Sequence, residues 1–200
     1  MSIMKLLQQA QGGQGLGQLA SQFGLDQGTA DQLTQMLAPA IGSAAKKRVE
    51  QAGMENVLGA MRGEEQAQMF DDAAVAASTD GQAQGMAFLE QIMGGRQEAE
   101  GLAQEAASRA GVDAGTVSKF LPALAAMAQG GLQKQMPDSQ IDGMIQEGGS
   151  SGGGLMGMIG GLIGGNKDGD QGSGLAMLSE MLDADGDGSP LDDILGKFMR

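Results

Sequence analysis

Apolar residues along this chain recur at helical rather than alternating spacing. Phe88, Leu89, Ile92 and Met93 fall on one face of a 3.6-residue repeat. They predict a helix that starts near Gly85 and stops at Gly94-Gly95, with those four side chains in a core. Glu64 to Phe70 reads as a further helical stretch. Toward the C-terminus, Leu175, Leu178, Met181 and Leu182 share one helical face, and Leu191, Ile194, Leu195 and Phe198 share another.

The pattern also repeats at long range. Leu19-Ala20-Ser21-Gln22-Phe23-Gly24-Leu25-Asp26, followed by Gly28-Thr29, returns 87 residues later as Ala106-Ala107-Ser108-Arg109-Ala110-Gly111-Val112-Asp113, followed by Gly115-Thr116. Leu37-Ala38-Pro39-Ala40-Ile41 matches Phe120-Leu121-Pro122-Ala123-Leu124 once the second copy is shortened by four residues. Each copy predicts a short helix, a left-handed turn at the Gly, an N-cap Asp, and a second helix with an internal Pro. Such a helix-turn-helix serves DNA readers, and it is equally a common way to pack two helices.

Periodicity fails after about Gln146. Thirteen of the 27 residues from Gly148 to Gly174 are Gly, the composition of a linker. Within it Gly153, Gly157, Gly161 and Gly165 stand four apart among Leu155, Met156, Met158, Ile159, Leu162 and Ile163, the spacing of a glycine zipper. Seven Gly in 13 positions disfavour a lone helix by roughly 7 kcal/mol relative to Ala. The expected organisation is therefore a helical repeat domain over 1–147, a Gly-rich linker over 148–174 and an acidic helix-loop-helix tail over 175–200.

Composition supports an all-α fold. The apolar mass is Ala, Leu and Met, which favour helix, while β-branched and aromatic residues are sparse. Sixteen Met against five Phe suggest a core filled by pliable side chains. The net charge of −13 argues against nucleic acid and anionic lipid as partners. Residues 1–62 depart from that balance, with Lys5, Lys46, Lys47, Arg48 and Arg62 against Asp26, Asp31, Glu50 and Glu55. Lys46-Lys47-Arg48 is the one basic cluster, and a solvated helix end accounts for it most simply.

Absent residue types narrow the chemistry. Without Cys there is no disulfide, thiolate nucleophile or thiolate metal site, and without His there is no imidazole base or histidine zinc site. Carboxylates, Lys, Arg and hydroxyls remain, and no motif pairs them for catalysis, so no enzyme is expected. The first residues contain no apolar stretch of signal-peptide length, and no apolar run approaches the roughly 20 residues that span a bilayer. A cytoplasmic location is expected.

The most specific chemical feature is the loop Asp183-Ala184-Asp185-Gly186-Asp187-Gly188. Alternate carboxylates on a tight turn converge on one point, as calcium requires, and the Gly at the sixth place lets the chain reverse. Asp183, Asp185 and Asp187 are the candidate ligands, the carbonyl of Ser189 is the next, and Asp192 is the candidate closing acid. Ile194 stands where a twelve-residue loop would carry its closing Glu. Ser189-Pro190-Leu191-Asp192 also reads as a capped helix start that needs no metal. Asn166, Asp168 and Asp170 repeat the alternation without the Gly at the sixth place.

Several of these segments together resemble the YidB-like superfamily of bacterial proteins. They are Leu16-Gly17-Gln18-Leu19-Ala20 with Phe23-Gly24-Leu25, Gly85 through Arg96-Gln97-Glu98-Ala99, Leu121-Pro122-Ala123-Leu124, and Leu182 through Ser189 with Leu191-Asp192-Asp193-Ile194-Leu195-Gly196. The resemblance implies a homeodomain-like helical fold, a glycine-rich linker and an acidic tail, and it implies no established activity.

The expected function is a non-enzymatic structural or protein-interaction role, with calcium as the candidate cofactor of the C-terminal loop. A protein partner or self-association is the expected partnership. One alternative is a nucleic-acid-associated regulator using the helix-turn-helix copies. Another is a self-assembling or membrane-surface protein that works through the glycine zipper and touches a membrane without spanning it.

Overall fold

The computed structural model describes residues 3–150, and among these every regular element is helical. The α-helices are α1 (Ile3–Gln9), α2 (Gly15–Gln22), α3 (Gln27–Ala52), α4 (Met54–Met61), α5 (Ala67–Asp71), α6 (Ala73–Ala77), α7 (Thr79–Met93), α8 (Arg96–Ala110), α9 (Ala114–Gln135) and α10 (Asp138–Ser150). Tight 3-10 turns at Ala10–Gly13 and Glu64–Gln66 lead into α2 and α5.

Helix α9 is the axis of the body. All fourteen residues from Phe120 to Gln133 are buried. A helix that is apolar on every side cannot face water, so other helices must enclose it. Helices α1, α2, α4, α5, α6, α7 and α8 all pack on it, while α3 packs across α1, α2, α4, α7 and α8. The run Leu121-Pro122-Ala123-Leu124-Ala125-Ala126-Met127-Ala128 is mostly small, so neighbouring backbones come close and gain dispersion contacts.

Gly85 marks the closest of these approaches. A Cβ there would overlap the Pro122 carbonyl oxygen and stand 2.9 Å from the Ala126 amide nitrogen. This corrects the expected start of α7 near Gly85. The helix begins six residues earlier at Thr79, where the Ser78 hydroxyl accepts from the Gly81 amide at 3.0 Å. Gly85 is interior, chosen for helix contact rather than for helix ending. The expected stop before Gly94 and the burial of Phe88, Leu89 and Ile92 are as predicted, and Met93 packs half-buried against the same core.

Both repeat copies fold with the same local chemistry. Helix α2 closes at Gly24 (φ 68°) and α8 at Gly111 (φ 66°), backbone angles that strain any residue with a Cβ. Leu25 then donates to the Ala20 carbonyl, and Val112 to the Ala107 carbonyl, each at 3.0 Å. Asp26 accepts the Thr29 amide at 3.0 Å, and Asp113 accepts the Thr116 amide at 2.9 Å. These caps open α3 and α9, whose lengths of 26 and 22 residues differ by the four residues missing from the second copy.

The caps differ in strength. The Thr29 hydroxyl donates to Asp26 at 2.5 Å, and with the Thr29 amide it holds the Asp26 carboxyl below its ordinary pKa of 3.8. The matching hydroxyl bond in the second copy, Thr116 to Asp113, is 3.3 Å.

Two expectations follow. Gly85→Ala destabilises by about 2–3 kcal/mol, because backbone atoms rather than a flexible side chain must move. Gly101→Ala, on an exposed position of α8 with nothing near its would-be Cβ, stabilises by about 0.5–1 kcal/mol. Urea unfolding of both variants checks the pair, and equal effects would remove the close-approach explanation. The second concerns acid. A depressed folded pKa stabilises above the unfolded value and loses that contribution as pH falls through the folded one. The stability advantage of wild type over Asp26→Asn is therefore constant above pH 3.8 and shrinks below it. Urea midpoints across a pH series measure it.

Candidate functional site

The residues predicted to hold calcium, Asp183, Asp185, Asp187, Ser189 and Asp192, lie outside the described residues. So do the glycine zipper from Gly153 to Gly165 and the weaker set Asn166, Asp168 and Asp170. Among the described residues, no three carboxylates come together to hold a metal, and no helix is long and apolar enough to cross a membrane.

What the helical body does form is a pair of open grooves along α9, the second of which lies where the two copies meet. One, of about 440 Å³, runs between α7 and α9 past Thr79, Met86, Glu90, Arg96, Ser118 and Pro122. The other, of about 470 Å³, lies between the end of α2 and the start of α9, past Gln22, Phe23, Asp113, Thr116 and Lys119. Gln82 lines both. At the second groove, Phe23 of the first copy meets Phe120 of the second edge-to-face, with centroids 6.0 Å apart and planes at 84°.

The fold already uses most of the polar groups along these grooves. Asp113 caps α9, the Gln82 side-chain amide donates to the Ala77 carbonyl at 2.8 Å, and Arg96 donates to Glu100 at 3.0 Å. Pro122 adds a polar feature by omission. It has no N–H to offer the Ser118 carbonyl one turn back, so that groove wall carries an acceptor with no helical donor.

The basic cluster sits in the second half of α3. Lys47 is exposed, while Lys46 and Arg48 are half-buried. The guanidinium of Arg48 reaches toward Gly94 at the end of α7, and its Nε is buried without a hydrogen-bond acceptor.

A polar cluster that the sequence pattern did not reveal ties α4, α9 and α10 together. Gln129 and Gln133, 5% and 3% exposed, donate from their side-chain amides to the Ala60 and Met61 carbonyls at 2.8 and 3.1 Å. They thus satisfy carbonyls left open at the end of α4. Asp138 accepts from the Gly63 amide at 3.0 Å and from Gln133, and Arg62 pairs with Asp142. The signal was available as two Gln four residues apart in an otherwise apolar helix, a spacing that puts both on one face.

Neither a curated protein nor a solved structure matches this chain. Residues 5–135 match the model of a family described as bacterial protein of unknown function (DUF937). That span is well over half of the 200 residues and contains both repeat copies with their grooves. The chain therefore belongs to this YidB-like family of bacterial proteins of unknown function.

Proposed function

We propose that this chain is a non-enzymatic interaction protein. Its helical body offers the grooves along α9 as a contact surface. Its C-terminal acidic loop holds calcium through Asp183, Asp185, Asp187, the carbonyl of Ser189 and Asp192.

The observation that carries the interaction reading is the prior engagement of the groove's polar groups. A catalytic acid or base needs a proton or lone pair free for substrate. Asp113, Gln82 and Arg96 are bound to Thr116, Ala77 and Glu100, so they shape the surface and fix its charge. The absence of His and Cys from the sequence is in keeping with this.

The homeodomain-like label suggests a reading in which the second helix of each copy enters a DNA groove. Burial of α9 from Phe120 to Gln133 weighs against that for the second copy. In the first copy, α3 presents Asp31, Gln32, Gln35 and Ser43 outside its buried face, a surface with little positive charge before Lys47. Phosphate attraction needs more cations than this.

Calcium is supported by the alternation of three Asp with Gly188 at the sixth place. Calorimetry of the full chain, titrated with calcium to millimolar concentration, is expected to give a saturable heat that Asp183→Asn combined with Asp185→Asn removes. Heat no greater than a magnesium control would strike calcium from this reading while leaving the groove untouched.

A further inference from the structure

Cations of the body are mostly engaged. Arg62 pairs with Asp142, Arg96 with Glu90 and Glu100, Arg109 with Glu105, and Lys134 with Asp71. Among the described residues Lys47 and Arg48 form no ion pair. Lys119 is also unpaired, but it shares a groove with Asp113. Arg48 is the more unusual of these. Its Nε is withdrawn from water with no acceptor, and Glu98, whose carboxylate lies over Gly95, does not reach it. A desolvated guanidinium N–H without a partner is unfavourable, and a carboxylate at the solvent-facing side of the guanidinium would offset that cost with a charge-assisted hydrogen bond.

The chain contains an anion suited to this edge. Residues 151–200 carry eight carboxylate side chains against three cations, and Asp183, Asp185 and Asp187 concentrate three of them within five positions. Thirty-two residues separate Ser150 from Asp183. Fully extended, they could reach on the order of 100 Å, so distance does not prevent contact with any face of the body. Nucleic-acid phosphates, by contrast, would approach a chain of net charge −13.

We propose that the Lys47–Arg48 edge of α3 is the docking site for the chain's own acidic segment Asp183–Asp187. The contact is intramolecular and electrostatic. Docked, the segment meets the Lys47 ammonium and the solvent-facing side of the Arg48 guanidinium, and it screens the most basic part of the body from other anions. It does not depend on calcium, but the same carboxylates serve both roles, so docking and cation binding oppose one another.

The sequence has no Cys, so Ser179→Cys provides a single attachment point for a nitroxide four residues before Asp183. In the full chain, with chelator and low salt, amides around Lys47, Arg48 and Gly94 are expected to broaden selectively. That broadening should be lost in Lys47→Glu with Arg48→Glu, lost equally in Asp183→Asn, Asp185→Asn and Asp187→Asn together, and strongly reduced at about 0.5 M salt, where charges are screened within a few ångströms. The acid-side variant leaves the helical body unaltered, so it decides the matter even if the α3 variant misfolds. Broadening spread evenly over the surface, or localised broadening that survives the Asp→Asn changes, overturns the docking. Broadening that appears only between separately labelled molecules assigns the occupant to a second copy and overturns docking within one chain. Because calcium is chelated throughout, failure here is distinct from failure of the calcium titration.

Discussion

The rest of this fold depends on the enclosure of α9. From Phe120 to Gln133 its carbonyls and amides face into the helix ladder, so a segment built of Leu, Ala and Met can be buried on all sides, provided other helices cover it. Ala offers little apolar area per residue, so stability here depends on close backbone approach rather than on large side chains. Gly85 permits that approach from α7. Farther along α9, a Cβ on Gly130 would collide with the Gln66 carbonyl oxygen and come within 2.9 Å of the Phe70 amide. The two Gln of α9 follow from the same constraint. Helix α4 ends against a surface that excludes water, so the carbonyls of Ala60 and Met61 need donors from within the protein, and Gln129 and Gln133 supply them.

The two similar segments have the same caps and turns but different surroundings. Helix α3 keeps one face in the core through Leu33, Leu37, Ile41 and Ala45 and leaves the other to solvent, while α9 has no solvent face from Phe120 to Gln133. The four residues absent from the second copy amount to slightly more than one helical turn, so the face presented by the Pro-containing segment shifts by only about 40°. Pro39 is nevertheless exposed and Pro122 buried. The local sequence is shared, and the difference lies in what packs around it. In the second copy the Pro carbonyl lies under Gly85, which makes the inner wall of the groove a contact between backbones.

Features set by a few adjacent residues could be read directly from the sequence. The Gly24 and Gly111 turns, the Asp26 and Asp113 caps and the core face of α7 all depend on local backbone angles or on a helical period. The start of α7 could not be read that way. Gly85 has the same appearance whether it ends a helix or lets another helix approach, and only the position of α9 distinguishes the two. Short helices such as α4 and α6 are not legible either, because five to eight residues carry too little of a helical period. The grooves were less legible still, since Phe23 and Lys119 meet through packing across about a hundred positions. The acidic loop is the opposite case. Its chemistry is entirely in the spacing of Asp183, Asp185 and Asp187, and its residues lie outside those the structure describes.

The character of the surface constrains how any partner is recognised. Among the described residues, Val75 is the large hydrophobic side chain that counts as exposed, at 37%. An apolar hot spot of buried aromatic anchors is therefore not available on this body, and binding must come from shape and from charge. Charge is unevenly distributed: residues 1–62 carry five cations against four carboxylates, while the full chain is at −13. Contacts formed under such conditions are steered by long-range fields and weaken as salt rises. They also respond to any event that changes the local charge, and neutralising a single carboxylate in a five-residue acidic run changes the field of the whole run. Recognition by this protein should then be adjustable by ionic conditions to a degree that an interface built on aromatic anchors would not allow.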